Sequence, residues 1–232
     1  MGRYGLPVSI CDMVMVEKQA RINRGFDRIA PIYDGLARLV FGQCLKEAQI
    51  ALFSEIEPDS KVLILGGGTG WILTEVFRLS QPSWVCYVEA SHGMMARTQE
   101  EIRYRGLPQH RIGLHLGTVE TLRRSEKFEV VITPFFLDLF SAMTATQVIQ
   151  DIKDLHQPHG IWLFTDFLPQ NLTQRTLLKI MYSFFRLTCR IEGKHLLPFD
   201  QLFEAGGYYQ DPGLQWRKGM LYSTIYRQEG KL

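Results

Sequence analysis

VLILGGGTG, residues 62–70, decides the fold. Its apolar start is a short continuous run, as expected of a strand buried on both faces. Gly66, Gly68 and Gly70 follow at once. Glycine reaches positive φ without steric cost and lets a ligand approach the backbone closely. WILTEVFRL then continues at helical spacing. A strand, a glycine loop and a helix in that order present backbone amides and a helix N-terminus to a polar ligand. A merely tight turn is the plainer reading, but three glycines in register exceed what a turn requires.

Working outward, the alternation repeats. SWVCYVEA is the next strand, followed by a helix over Met94–Tyr104. RIGLHLG and FEVVIT are the third and fourth strands, Thr144–His156 a helix and GIWLFTDF the fifth strand. Apolar strands alternating with helices predict an α/β fold, with a mostly parallel sheet and helices on both faces. Asn171–Leu187 reads as a long apolar helix and Phe199–Ala205 as a short one. LQWRKG with MLYSTIYRQ reads as a closing antiparallel hairpin. Upstream, FDRIAPIYDGLARLVFG carries Phe26, Ile29, Tyr33 and Leu36 at helical spacing, and Pro31 is expected to split it into two helices. A further helix is expected from about Gln43 to Glu55. Residues 1–58 therefore read as an N-terminal helical lid on a domain formed by residues 59–232.

Composition excludes several classes. The 232 residues are 46% apolar and 22% charged, which fits one folded unit with its own core. Basic and acidic residues number 26 and 24, a balance that gives no electrostatic reason to expect nucleic acid. Cys11, Cys44, Cys86 and Cys189 are too scattered for a CxxC site, and the histidines form no HExxH, so no metal site is expected. The sequence shows no signal-peptide pattern, and its apolar stretches fall short of the roughly 20 residues that span a bilayer. A reduced, cytoplasmic chain is the expectation.

Glu89 ends the second strand, nineteen residues after Gly70. A carboxylate there can accept from both ribose hydroxyls of an adenosine group; the bland alternative is an exposed strand-end acid. Ala90, Ser91 and Met94 would rim the adenine. The loop alone suits a dinucleotide too, although GGGTG is shorter than the usual GxGxxG.

Taken together, VLILGGGTG, YVEASHGMM, LGTVETL, FEVVIT and LHQPHGIWLFTDF resemble, in order, the motifs of class I S-adenosylmethionine-dependent methyltransferases across residues 60–167. The resemblance implies a Rossmann-like, seven-stranded sheet with a reversed last hairpin. It also implies S-adenosylmethionine (SAM), with S-adenosylhomocysteine as product, lying across the strand C-termini. The residues it points to are Gly66, Gly67, Gly68, Thr69, Gly70, Glu89, Ala90, Ser91, Met94, Thr118, Val119 and Thr133. FDRIAPIYDGLARLVFG is similar to the opening of the ubiquinone/menaquinone-biosynthesis C-methyltransferase group, which adds Tyr33 as a cover for the cofactor, or else as a packed aromatic. Three positions depart from the family pattern. Ile64 stands where an acid is usual, Thr118 where Asp is frequent, and TPFF follows the fourth strand. TPFF resembles the proline–aromatic motif of amino-methyltransferases only loosely, and Pro134, Phe135 and Phe136 read more simply as a pocket wall, with Tyr182 and Phe185 from the apolar helix.

No general base stands out. Asp138 is either a base or a helix cap near Ser141, and His195 either lines the acceptor site or sits in a solvent loop. The expected function is SAM-dependent methyl transfer to a carbon, oxygen or nitrogen of a small, partly hydrophobic acceptor. The rival reading is a SAM-binding interaction module with little catalysis; a nicotinamide oxidoreductase is more distant. Oligomeric state stays open.

Overall fold

The computed structural model describes residues 25–28, 30, 35, 41–189, 191–193 and 196–228. β1 (Lys61–Leu65) lies between β2 (Trp84–Glu89) and β4 (Phe128–Pro134), and its residues from Val62 onward are buried on both faces. β3 (Ile112–Leu116) flanks β2, and β5 (His156–Phe167) flanks β4. These five strands are parallel. β8 (Leu221–Gln228) runs antiparallel beside β5.

Period-two alternation divides β1 between two cores. Leu63 and Leu65 pack with Val148, Ile149 and Ile152 of α4 (Ala142–Lys153) and with Phe199 and Phe203 of α6 (Phe199–Ala205). Val62 and Ile64 pack with Ile72, Leu73 and Val76 of α2 (Trp71–Leu79) and with Met95 and Ile102 of α3 (His92–Arg105). Helices thus cover both faces, as the apolar strands require. A third cluster sits at the C-terminal end of β5, where Leu178 and Tyr182 of α5 (Leu172–Thr188) pack with Phe41, Phe167 and Leu221.

The sheet holds eight strands, not seven. β6 (Tyr208–Gln210) and β7 (Leu214–Trp216) pair with opposite ends of the same β8 strand, through Tyr208↔Gln228 and Trp216↔Leu221. They form one edge interrupted at Asp211-Pro212-Gly213, where proline has no amide to donate to a ladder. The path β3-β2-β1-β4-β5-β8-β6 therefore keeps the seven-strand order with a broken last edge.

Two boundaries differ from expectation. The helix over 144–156 starts two residues earlier and stops at Lys153, and His156 instead opens β5. Its ring stacks on Tyr208 at 5.8 Å. The fifth strand, expected from Gly160, starts earlier, so that Pro158 lies inside a twelve-residue strand whose register shifts against β4 between Phe128 and Val130. The segment 43–55 splits into α1 (Cys44–Ile50) and a 3₁₀ turn (Phe53–Glu55). α1 is fastened to the sheet: the Ala48 carbonyl accepts from Ser223 Oγ at 2.8 Å. Among the described residues, no helix is long and apolar enough to cross a membrane.

Candidate active site

Strand order reverses between β1 and β4, and in open α/β sheets ligands bind outside the strand C-termini at such a point. The loop after β1 sits there. Gly66, Gly68 and Gly70 have φ of +67°, +67° and +89°. Three of its glycines are held by their neighbours: an added Cβ at Gly66 would lie 2.5 Å from the Phe136 ring, at Gly67 2.6 Å from the Tyr87 ring, and at Gly70 2.8 Å from the Thr98 backbone. At Gly68 an added Cβ would meet nothing within 4 Å. The loop is packed from behind and open at one residue.

The Gly68 peptide is clamped from both sides. Its carbonyl accepts from Tyr87 Oη and from Thr98 Oγ1, each at 3.0 Å. The Glu89 carboxylate accepts from the Ser91 amide at 2.8 Å, and the Gly68 and Ala90 amides lie near enough to favour its ionised form. Burial pushes the Glu89 carboxyl up to about 7; the three amides oppose that shift, and the nearby Asp27 charge adds to it. Asp27 closes the loop after β2. Its Oδ1 accepts from Ser91 Oγ at 2.6 Å and from the Gly93 amide at 2.7 Å, while Ser91 caps α3 through the Met94 amide.

These residues fit an adenosine group. Gly68 leaves space where a ligand would approach, and a carboxylate with spare lone pairs stands at the end of the neighbouring strand. Thr118 precedes a 3₁₀ turn (Val119–Thr121), where its carbonyl accepts from Thr121, and the Val119 side chain is buried in the core.

Beyond β4 the chain turns through Phe135, a non-glycine residue at φ +50°, a strained conformation that an L-residue seldom adopts. The Phe135 amide donates to the Thr165 carbonyl at 2.7 Å and its ring lies 4.8 Å from that of Phe167. Asp138, in the following 3₁₀ turn (Leu137–Leu139), is 2% exposed, and Asp166 near the end of β5 is 1% exposed. Asp138 Oδ1, Asp166 Oδ2 and the Tyr182 hydroxyl are buried with no hydrogen-bond partner. Burial pushes Asp138 up to about 7, and burial together with the Asp138 charge drives Asp166 well above the usual carboxylate range.

The structure brings Gly66–Gly70, Glu89, Ala90, Ser91, Phe135, Phe136, Asp138 and Tyr182 to the C-terminal edges of β1, β2, β4 and β5. Several expected roles change. Thr133 is fully buried and accepts from Trp162 Nε1 at 2.8 Å, so its side chain belongs to the core and not to a cofactor or an amine. Ser91 spends its hydroxyl on the α3 cap and Asp27, and Met94 and Pro134 are buried. Phe136 packs edge-on against Phe140 and behind Gly66, supporting the loop. Phe185 stacks against Phe26 at 6.3 Å. Asp138 is not a helix cap: Ser141 caps α4 itself, accepting from the Thr144 amide. Ile64 is fully buried in the core and leaves no acid at that place. Tyr33 and His195 lie outside the described residues. Asp27 and Asp166 are the site residues that sequence reasoning missed. Asp166 had a signal, a carboxylate at the end of an otherwise apolar strand. Among the described residues, no group of His, Cys, Asp or Glu is placed to hold a metal.

A family model described as a methyltransferase domain matches residues 62–160. No curated protein matches the sequence. Among solved structures, the CcbJ methyltransferase from Streptomyces caelestis is similar with a TM-score of 0.68 and 16% identity, over 90% of this chain and 99% of that one. The 1,6-didemethyltoxoflavin-N1-methyltransferase from Burkholderia thailandensis, solved with 1,6-didemethyltoxoflavin and S-adenosylhomocysteine bound, gives 0.67 and 12%, over 97% and 94%. The mitomycin 7-O-methyltransferase MmcR gives 0.67 and 15%, over 95% and 69%. The chain has the Rossmann-like fold of these methyltransferases. That fold matches 1123 solved chains, too many for it to specify an acceptor.

Proposed function

We propose that the chain is a SAM-dependent methyltransferase acting on a small, partly hydrophobic acceptor. The observation that carries this reading is the pairing of a glycine loop whose one unobstructed glycine is Gly68 with the Glu89 carboxylate at the end of the neighbouring strand, close to the Gly68 amide. Gly68 gives the nucleoside close approach to the backbone, and Glu89 accepts from the ribose hydroxyls. SAM supplies a methyl group already joined to a good leaving group. The chain's share of the work is to hold the acceptor in line, exclude water and manage the acceptor's proton. Phe135, Phe167 and Tyr182 supply an apolar wall for such an acceptor. The near balance of charge gives no electrostatic reason to expect nucleic acid as the acceptor, and a cytoplasmic, reduced setting suits the unpaired Cys44, Cys86 and Cys189.

One observation favours a second reading, a SAM-binding module with little turnover. Ile64 is fully buried and leaves the methionine amine without its usual acid. Thermal melting with SAM, S-adenosylhomocysteine and NAD side by side, followed by transfer of labelled methyl to a panel of small acceptors, tests both. Stabilisation by the first two and labelled product support the proposal. Stabilisation without product supports the module, and stabilisation by NAD alone overturns both.

A further inference from the structure

The acceptor side holds a polar group that the cofactor reading does not use. Asp138 and Asp166 leave the C-terminal ends of neighbouring strands β4 and β5, and Tyr182 comes down on them from α5. Asp166 Oδ1 accepts from the Phe167 amide at 2.8 Å, but Asp166 Oδ2 and Asp138 Oδ1 accept nothing. The Tyr182 hydroxyl is turned toward Asp138 without a formed hydrogen bond, and its residue is 4% exposed. Buried polar atoms are nearly always partnered, so three unpartnered ones meeting at the ligand edge of a sheet call for a ligand that completes them.

We propose that Asp138 is the base that takes the proton from a weakly acidic acceptor hydroxyl, a phenol or an enol, while Tyr182 donates to the same oxygen and Asp166 positions Asp138. This rests on the methyltransferase reading. A hydroxyl both donates and accepts at one atom, which matches an acceptor-only carboxylate facing a phenolic donor. An attacking amine has no second lone pair for Tyr182. The half-buried Phe135 ring, packed at 4.8 Å on Phe167, offers an aromatic face to a planar acceptor. In the transfer the acceptor oxygen's lone pair forms the new C–O bond, the C–S bond breaks with its pair remaining on sulfur, and the O–H proton passes to Asp138 Oδ1. The two carboxyls are the charged groups that meet there among the described residues. Burial and the Asp138 charge keep a proton on Asp166 while Asp138 ionises, so Asp138 is free to act above neutrality.

The first test needs no methyl donor. Calorimetry with 4-cyanophenol should show binding to the wild-type chain, weakened at least fivefold by Asp138→Asn and by Tyr182→Phe and unchanged by Lys179→Ala on the exposed face of α5. The second follows labelled methyl from SAM to phenols of graded acidity. Asp138→Asn should lose on the order of a hundredfold with the least acidic phenols. The loss should shrink as the phenol becomes acidic enough to arrive ionised, a dependence that a merely structural role does not produce. Asp138→Asn should abolish the rising limb of the pH–rate profile, whereas Asp166→Asn, which exchanges one neutral group for another, should leave it in place. Melting curves check folding, and neither Asn variant should melt earlier, because each removes a desolvated carboxyl. Phenol binding and transfer indifferent to Asp138→Asn and Tyr182→Phe overturn the proposal, as does a wild-type chain that binds SAM but ignores every phenol. A chain that binds neither SAM nor its product fails the methyltransferase reading instead, and the phenol titration still decides the acid–base centre.

Discussion

Tyr87 Oη donates to the Gly68 carbonyl at 3.0 Å, so a core tyrosine of β2 fixes the one open residue of the glycine loop. Thr98 of α3 supports the same carbonyl. Tyr87→Phe keeps the ring that backs Gly67 and removes one of the two donors. It should cost about 0.5–1.5 kcal/mol of stability, read by denaturant unfolding. SAM affinity should fall severalfold, because the Gly68 peptide gains freedom that binding must remove.

Alanine at Gly67 and at Gly68 should cost stability for different reasons. At Gly67 the new methyl meets the Tyr87 ring, so overpacking should cost about 1–3 kcal/mol of stability. At Gly68 the methyl meets no protein atom, and the left-handed backbone sets a cost of about 1–2 kcal/mol. Gly68→Ala should nevertheless abolish SAM binding in a folded protein. Melting and calorimetry on the two variants separate the effects.

Asp27 joins residues before α1 to the cap of α3 through Ser91 and Gly93. Asp27→Ala should cost about 1–3 kcal/mol, since the buried Ser91 hydroxyl and the half-buried Gly93 amide lose their acceptor. Asp27→Asn keeps an acceptor oxygen and should cost less, while lowering the Glu89 pKa by removing the neighbouring charge. Carboxyl NMR of Glu89 reads the second effect.

Stability of the ligand-free chain should fall as pH rises from about 6.5 to 8. Glu89 and Asp138 are raised to about 7 and Asp166 further, so in this range the folded state binds more protons than the unfolded one. Stability then declines with pH. His156 is lowered to about 4, so its contribution acts in the opposite sense, but only below about 6.5, where the unfolded ring protonates. Asp166→Asn should flatten the decline measured by thermal melting in matched ionic strength.

The sheet and both helical layers were legible because KVLIL, WVCYVE and FEVVIT are continuous apolar runs between helical patterns, and burial on both faces leaves such runs few alternatives. The placement of the loop after β1 and of Glu89 at the end of β2 was legible because both follow from where the apolar runs stop. The start of β5 was not: Pro158 signals a loop locally, and only the pairing of His156 with Phe128 of β4 and its stacking on Tyr208 carry the strand back past it. Thr133 was misassigned because its partner, Trp162, lies 29 positions away on the adjacent strand. Asp166 went unread for the same kind of reason, since its meaning comes from Asp138 and Tyr182, which only the tertiary fold brings to it.

The central claim is that Glu89 and the Gly68 loop hold the nucleoside of SAM. Calorimetric titration of SAM into wild type, Glu89→Gln and Glu89→Ala tests it most directly. Hydrogen bonds to a charged group contribute about 1.5–3 kcal/mol each. Glu89→Ala should therefore weaken binding by on the order of ten- to a thousandfold, with Glu89→Gln between. Wild-type affinity should rise as pH increases through about 7, because the ionised carboxylate is the better acceptor. Equal affinities in all three proteins, with unchanged melting of the ligand-free chains, would remove Glu89 from the site and contradict the account.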